Sequence, residues 1–291
     1  MKQNKLPNPD FTIRELEERD LPELTQIMAE GFPRHSRAFW ENCLRLIKNR
    51  DRAPGTQQYG YGIEADGLKG AALALGSLHG PDDSPQTIVN ISSWTVRPSH
   101  RGPPARELYR YASMFDNMTY SNLSAAPHTL KTITQFGFRA RTAGQIIAVG
   151  VRKVPRRVVR FVTTHDAERA GLAPQKAEML RYHANRGCIA FCLELPDRLA
   201  PLIFLPRRIK PGIPVAQLIY CEQMDDFQDN SRSIYLWLLA RGFPALLVDA
   251  SGPIVGLKGK YFPGRAAKYY KGPPPLYAVD HTYSEMIYIG F

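Results

Sequence analysis

The chain has 291 residues, of which 44% are apolar, and a formal net charge of +11. That length exceeds the usual single-domain range of roughly 100–150 residues, so two domains are expected. No run of about 18 apolar residues occurs, which predicts no membrane-spanning helix. The polar start Met1–Asp10 lacks the apolar region of a secretion signal, which points to the cytoplasm.

In chain order, Phe11–Arg14 reads as a first strand. Asp20-Leu21-Pro22-Glu23 opens a helix with acceptor side chains at the cap and three residues on, and Leu24, Ile27 and Met28 continue it. Phe39, Trp40, Cys43, Leu44 and Ile47 carry a second helix. Residues 59–64 and 68–78, joined by Ala65-Asp66-Gly67, form a hairpin, because Asp-Gly supplies positive φ. Ile88–Val96 is rich in β-branched residues and reads as a strand. It runs into a basic turn, Arg97-Pro98-Ser99-His100-Arg101-Gly102. Pro103 and Pro104 fit the first turn of a helix, where a missing N–H costs little. Ala105, Leu108, Tyr109, Ala112 and Phe115 then share one stripe. A helix start after an Arg-Gly turn offers amides, a partial positive charge and a guanidinium, all suited to a pyrophosphate. Met118–Ser124 is a further strand, and Pro127–Phe136 a short helix closing on Gly137-Phe138.

The segment Val96-Arg97-Pro98-Ser99-His100-Arg101-Gly102 resembles the acyl-CoA-binding turn of the GNAT N-acyltransferase superfamily, and the elements around it follow that family's order. The resemblance covers about the first half of the chain. It implies an acyl-CoA donor, acetyl-CoA or another, with no metal. The donor would sit in a wedge between the Ile88–Val96 and Met118–Ser124 strands. Trp94, Thr95 and Val96 would meet the pantetheine arm, and Arg101, Gly102, Pro103, Pro104, Ala105 and Arg106 the phosphates. The sequence departs from the family at three places. Pro104 and Arg106 stand at the two small-residue positions after the arginine, and Pro104 cannot donate an amide. Ile133 occupies the place of a common tyrosine acid. The central strand offers Asn90, Ser92 and Ser93 but no carboxylate base. Ser93 and Asn122 are the candidate catalytic residues, provided the strand register turns them into the cleft.

In the second half, 158–163 reads as a strand, 167–186 as two helical pieces, and 188–195, 199–205 and 215–220 as strands. A helix over 226–241 and a strand over 245–250 follow, and 283–291 looks like a last strand. This order repeats that of the first half. The expected fold is therefore mixed α/β: two tandem GNAT-like domains, each a mostly antiparallel sheet flanked by helices, over 1–153 and 154–291. The join falls near Arg152–Arg157. The second copy carries the acidic turn Cys221–Asp226 where the first has Arg-Gly, so it is not expected to bind CoA.

Residues 1–150 hold 18 basic against 15 acidic side chains, a net of +3, and the remainder 20 against 12, a net of +8. Arg152, Lys153, Arg156, Arg157 and Arg160 surround the join. Lys258, Lys260, Arg265, Lys268 and Lys271 mix with Tyr261, Phe262, Tyr269 and Tyr270 in a basic C-terminal tail. Such a mixture suits a solvated surface first and a nucleic-acid backbone second. Four cysteines in this length make no disulfide framework, and Cys188 and Cys192 fit one buried strand face. The seven histidines show no metal spacing.

These readings converge on an acyl-CoA-dependent N- or O-acyltransferase acting on an amine or hydroxyl of a small molecule or sugar. The alternatives are a catalytically silent tandem that binds CoA or a partner protein, and a transferase drawing on aminoacyl-tRNA.

Overall fold

The computed structural model describes residues 11–151, 159–209 and 212–290. The expected domain join at Arg152–Arg157 and the N-terminal Met1–Asp10 lie outside the described residues. The first half contains β1 (Thr12–Glu15), α1 (Leu21–Gly31), α2 (Arg37–Lys48), β2 (Gly60–Glu64), β3 (Leu68–His79) and β4 (Gln86–Val96). It continues through α3 (Pro103–Tyr111), β5 (Thr119–Asn122), α4 (Leu130–Gln135) and β6 (Arg139–Val151). The second half opens with β7 (Arg160–Thr163), α5 (Pro174–Ala184), β8 (Ile189–Glu194), β9 (Leu199–Ile209) and β10 (Ile213–Cys221). Then come α6 (Met224–Asp229), α7 (Ser231–Leu239), β11 (Ala245–Ala250), β12 (Leu257–Lys271), β13 (Val279–Asp280) and α8 (Glu285–Tyr288).

All thirteen strands join one sheet in the order β1-β2-β3-β4-β5-β12-β6-β11-β10-β9-β8-β7, with β13 on β10. The halves therefore trade their last strands. β5 of the first half pairs with β12, Tyr269 facing Asn122 and Tyr270 facing Ser121. β11 of the second half pairs with β6, Val248 facing Ile146. β6 and β12 also pair with each other. Most neighbours are antiparallel; β4–β5 and β10–β11 are parallel.

Burial follows the sequence pattern. Ser36 caps α2 by accepting the Phe39 N–H at 3.2 Å, and Trp40, Cys43, Leu44 and Ile47 face Leu73 and Leu75 of β3. Tyr288 and Ile289, from the far end of the chain, complete that cluster. α3 and α4 cover the opposite face through Leu108, Tyr109 and Ile133. α7 packs Ile234 and Leu238 on β10 and β11. α5 packs Leu180 with Cys188 and Cys192, and there Leu123 and Met286 intrude from elsewhere in the chain.

Several expectations change. Residues 257–271 form no tail: they are the interior strand β12. Lys258, Lys260 and Arg265 are exposed along it, whereas Lys268 is buried beside Asp249, so the run is no continuous basic surface. Residues 285–288 coil into α8 instead of a last strand; so short a stretch carries no periodicity that separates the two. The helix expected over 226–241 breaks at Asn230 into α6 and α7. α3 stops at Tyr111, leaving Phe115 exposed. Asp20 does not cap α1, because its carboxyl accepts from Arg14 at 2.7 and 2.8 Å and from the Glu17 N–H at 2.8 Å.

Candidate active site

β4 and β5 pair only over Ile88–Thr119, Val89–Tyr120 and Asn90–Ser121. Beyond Asn90, β4 continues for six residues along β3 alone, and the sheet opens there into a wedge. A cavity of about 1060 Å³ fills this wedge. Its walls include Ser92, Ser93, Trp94, Thr95 and Val96 of β4 and, across the opening, Asn122 and Ser124.

The β4–β3 register slips between Thr95–Ala71 and Ser92–Leu73, placing two β4 residues against one. This bulge holds Ser93 at φ 49°, a left-handed value that costs a non-glycine residue about 1 kcal/mol or more. A bulge of this kind re-aims side chain and backbone toward one face, and here that face is the cavity. Gly31, at the end of α1, approaches β4 so closely that a Cβ would lie 2.0 Å from Thr95 Oγ1. α1 can therefore seal that edge of the wedge only with a residue lacking a side chain.

At the mouth, the Arg97–Gly102 turn feeds α3 through Gly102 at φ 96°. Pro103 and Pro104 occupy the first two helical positions and remove two of the donors that a helix start presents, leaving the amides of Gly102 and Ala105. Arg101, Gly102, Ala105 and Arg106 line the cavity; Pro103 and Pro104 do not. Arg101 Nε donates to the Val96 carbonyl at 3.3 Å, and Arg106 donates to Gln135 Oε1 at 3.1 Å beside the Phe136 ring. With Arg207 of β9, three guanidiniums and no carboxylate line the cavity among the described residues.

Asn122 Nδ2 donates to Tyr109 Oη at 2.9 Å, and burial pushes that phenol well above the ordinary tyrosine range. Trp94 packs on Tyr109 with ring centroids 4.8 Å apart. Ser93, Asn122, Trp94, Thr95, Val96 and four of the six turn residues thus meet in one cavity. Ile133, at the place of the common tyrosine acid, is a fully buried core residue.

Sequence reasoning missed the groups behind the wall. Glu285 of α8 is fully buried, with its N–H donating to Asn90 Oδ1 at 2.8 Å at the apex of the wedge. Ser92 Oγ donates to Glu285 Oε2. Ser124 stands close enough to favour the charged form, yet closes no hydrogen bond to Oε1, which has no partner among the described residues. Burial raises the Glu285 carboxyl above its ordinary range, opposed by Ser92, Ser124, Lys268 and Arg207. Lys268 also faces Asp249, which accepts from Gln145 at 2.7 Å and from Gln217 at 3.5 Å and lies 3.1 Å from His281 Nε2 and 3.9 Å from Lys268 Nζ. No local signal marks Glu285 or Arg207, because long-range pairing alone brings them to the wedge.

The second half opens the same way, β10 and β11 pairing only over Val215–Ala245, Ala216–Leu246 and Gln217–Leu247. There the chain itself enters the gap: β13 pairs with Tyr220 and Cys221, and the His281 N–H donates to the Ile219 carbonyl at 2.8 Å. The acidic turn at its mouth is tied up, Asp226 bonding Arg198 at 2.6 Å. Elsewhere, Ser77 Oγ lies 2.8 Å from His79 Nε2, and His79 Nδ1 lies 2.6 Å from Asp280. That array has the order of a hydrolytic triad, but Ser77 is buried and lines neither described cavity, so it pins the C-terminal segment to β3.

A GCN5-related N-acetyltransferase of Anabaena variabilis superposes with a TM-score of 0.57 at 12% identity, over 89% of this chain and 72% of that one. The chain has the GNAT fold. A Pyrococcus horikoshii protein matches 97% of this GNAT-fold chain and 98% of its own at 12% identity and a TM-score of 0.50, so both halves find counterparts. The glucosamine N-acetyltransferase region of a fungal multi-domain β-N-acetylglucosaminidase gives 0.52 at 11% identity, over 89% of this chain and 38% of that one. No protein-family model and no curated protein matches the sequence. Among the described residues no helix is long and apolar enough to cross a membrane.

Proposed function

We propose that the protein moves an acyl group from a CoA thioester to an amine or hydroxyl of a small molecule or sugar. The observation that carries this reading is the wedge beyond Asn90 and Ser121, open along β4 and mouthed by a basic helix start. The diphosphate would lie against Arg101, Arg106 and the Gly102 and Ala105 amides, where opposite charge and helix dipole act together. The pantetheine arm would run along the edge of β4 at Thr95 and Val96, with Trp94 beside it. The thioester then reaches the Ser93 bulge, where a strand N–H can polarise its carbonyl as the acceptor attacks.

Isothermal titration with CoA and acetyl-CoA tests the binding step. The expected result is a complex that weakens with added salt. Arg101→Glu together with Arg106→Glu should weaken it by more than about 100-fold, since each charged hydrogen bond lost is worth about 1.5–3 kcal/mol. No heat at millimolar CoA would overturn the proposal. Pro103 and Pro104 favour a second reading, a CoA-binding protein without turnover, because they thin the phosphate cradle. Consumption of acetyl-CoA with a panel of amines and amino sugars separates the two.

A further inference from the structure

We propose that Glu285 is the final proton acceptor of acyl transfer, reached from the cavity through the hydroxyls of Ser93 and Ser92; this rests on the transferase reading above. β4 carries no carboxylate, yet the geometry supplies one from the opposite end of the chain. Ser93 Oγ lies 3.1 Å from Ser92 Oγ, both residues line the cavity, and Ser92 donates to Glu285 Oε2. The direction of donation is fixed at one end. A carboxylate only accepts, so Ser92 must donate to it and can accept from Ser93, which leaves a Ser93 lone pair facing the cavity.

Four features suit this chain to moving a proton rather than only packing. The bulge holds Ser93 in a left-handed conformation uncommon for serine and sets it on the cavity wall. Glu285 is fixed from its own backbone by Asn90, so α8 is anchored at the apex where the thioester would end. Its Oε1 is buried and, with Ser124 nearby, closes no hydrogen bond among the described residues, a cost of about 1–3 kcal/mol that an apolar residue would avoid. Burial also raises the proton affinity of this carboxyl, the direction a proton acceptor needs. The groups facing it are Lys268 of β12, Arg207 of β9 and Tyr109 of α3, with His281, on the segment before α8, directed at Asp249.

The step balances. The amine lone pair forms a C–N bond to the thioester carbonyl carbon while an N–H proton passes to Ser93, from Ser93 to Ser92, and from Ser92 to Glu285. Collapse of the tetrahedral species breaks the C–S bond, and the CoA thiolate leaves with that electron pair. The proton returns from Glu285 along the same hydroxyls to the thiolate, restoring the starting state. Glu285 acts through the serines and touches no substrate, so its part is to position the relay and hold the proton.

The test compares wild type, Glu285→Gln, Ser92→Ala and Ser93→Gly in CoA titration and in acetyl transfer to an aromatic amine, whose nitrogen is unprotonated throughout, from pH 7 to 10. Glycine suits the positive φ of Ser93, so that variant breaks the relay without straining the bulge. We expect CoA affinity within about twofold of wild type for all three. Acetyl transfer should fall roughly 100-fold or more at pH 7 in Glu285→Gln and in Ser93→Gly. The variants' rates should then climb about tenfold per pH unit, as hydroxide takes the proton, while wild type stays flat. Parallel pH profiles, or variant rates equal to wild type, would overturn the relay and leave the transferase reading standing. A wild type that binds no CoA or turns over no acceptor overturns both. If Glu285→Gln does not fold, Ser93→Gly and Ser92→Ala decide alone.

Discussion

Replacing Lys268 by Met is expected to destabilise the protein by about 3–5 kcal/mol, a fall in melting temperature of roughly 6–15 °C. Lys268 is 4% exposed, donates from Nζ to the Leu123 carbonyl at 2.7 Å, and stands 3.9 Å from Asp249 Oδ1. The side chain therefore ties β12 to the end of β5 and to β11, across the exchange of strands that joins the halves. Burial pushes the Asp249 carboxyl up, but Lys268, His281 and Gln145 outweigh it and hold the carboxyl below its ordinary range. Methionine fills the same space and leaves a buried carboxylate without the lysine charge that most strongly favours it. A carboxyl with a depressed folded pKa stabilises above its unfolded value of about 3.9 and loses that contribution as pH falls through the folded one. The deficit of Lys268→Met should accordingly narrow in acid, and adding Asp249→Asn should recover much of it at neutral pH. A double variant no more stable than Lys268→Met would show that the Leu123 carbonyl, not the charge, carries the effect.

The local parts of this molecule were legible in the sequence and the long-range parts were not. The Ile88–Val96 strand, the Arg101-Gly102 turn and the proline-led helix follow from β-branching, positive-φ glycine and the N1 preference of proline, all set within a few residues. Of these elements Ile91–Val96, Arg101, Gly102, Ala105, Arg106 and Tyr109 line the cavity, so its mouth and one wall are built from locally legible segments. Arg139–Val151 and Leu257–Lys271 went unassigned because each becomes a strand through partners about a hundred or more positions away, as Phe262 does opposite Gln145. Interrupted by Pro263 and Gly264, β12 has neither clean alternation nor a clean turn. Glu285 is the sharpest case. It lies 193 residues from Ser92, in a four-residue helix whose sequence reads equally well as strand. Nothing local announces a buried carboxylate; only the path of the chain through the second half's own gap delivers it to the first.

Acid should loosen that delivery before it unfolds the rest. His183, near the end of α5, is fully buried, with Nδ1 donating to the Met179 carbonyl at 2.8 Å and Nε2 accepting the Tyr283 N–H at 3.2 Å. Both nitrogens are thus committed to the neutral ring, with the proton on Nδ1. Burial, the largest influence, lowers its pKa from 6.5 to about 4, against the opposing Met179 bond. A histidine with a depressed folded pKa contributes stability that is present above its unfolded value. That contribution is lost as pH falls from 6.5 toward 4, and amounts to about 3 kcal/mol. A protonated ring would also set an N–H against the Tyr283 N–H, releasing a residue already held at φ 53° two positions before Glu285. Hydrogen exchange at residues 283–289 should therefore accelerate between pH 6.5 and 4 while the β2–β3 hairpin stays protected. In His183→Gln, whose side chain cannot titrate, the same amides should exchange with no such acid step beyond the intrinsic pH dependence. An acid step of equal size in that variant would assign the transition to the carboxylates instead, Asp280 beside His79 first among them.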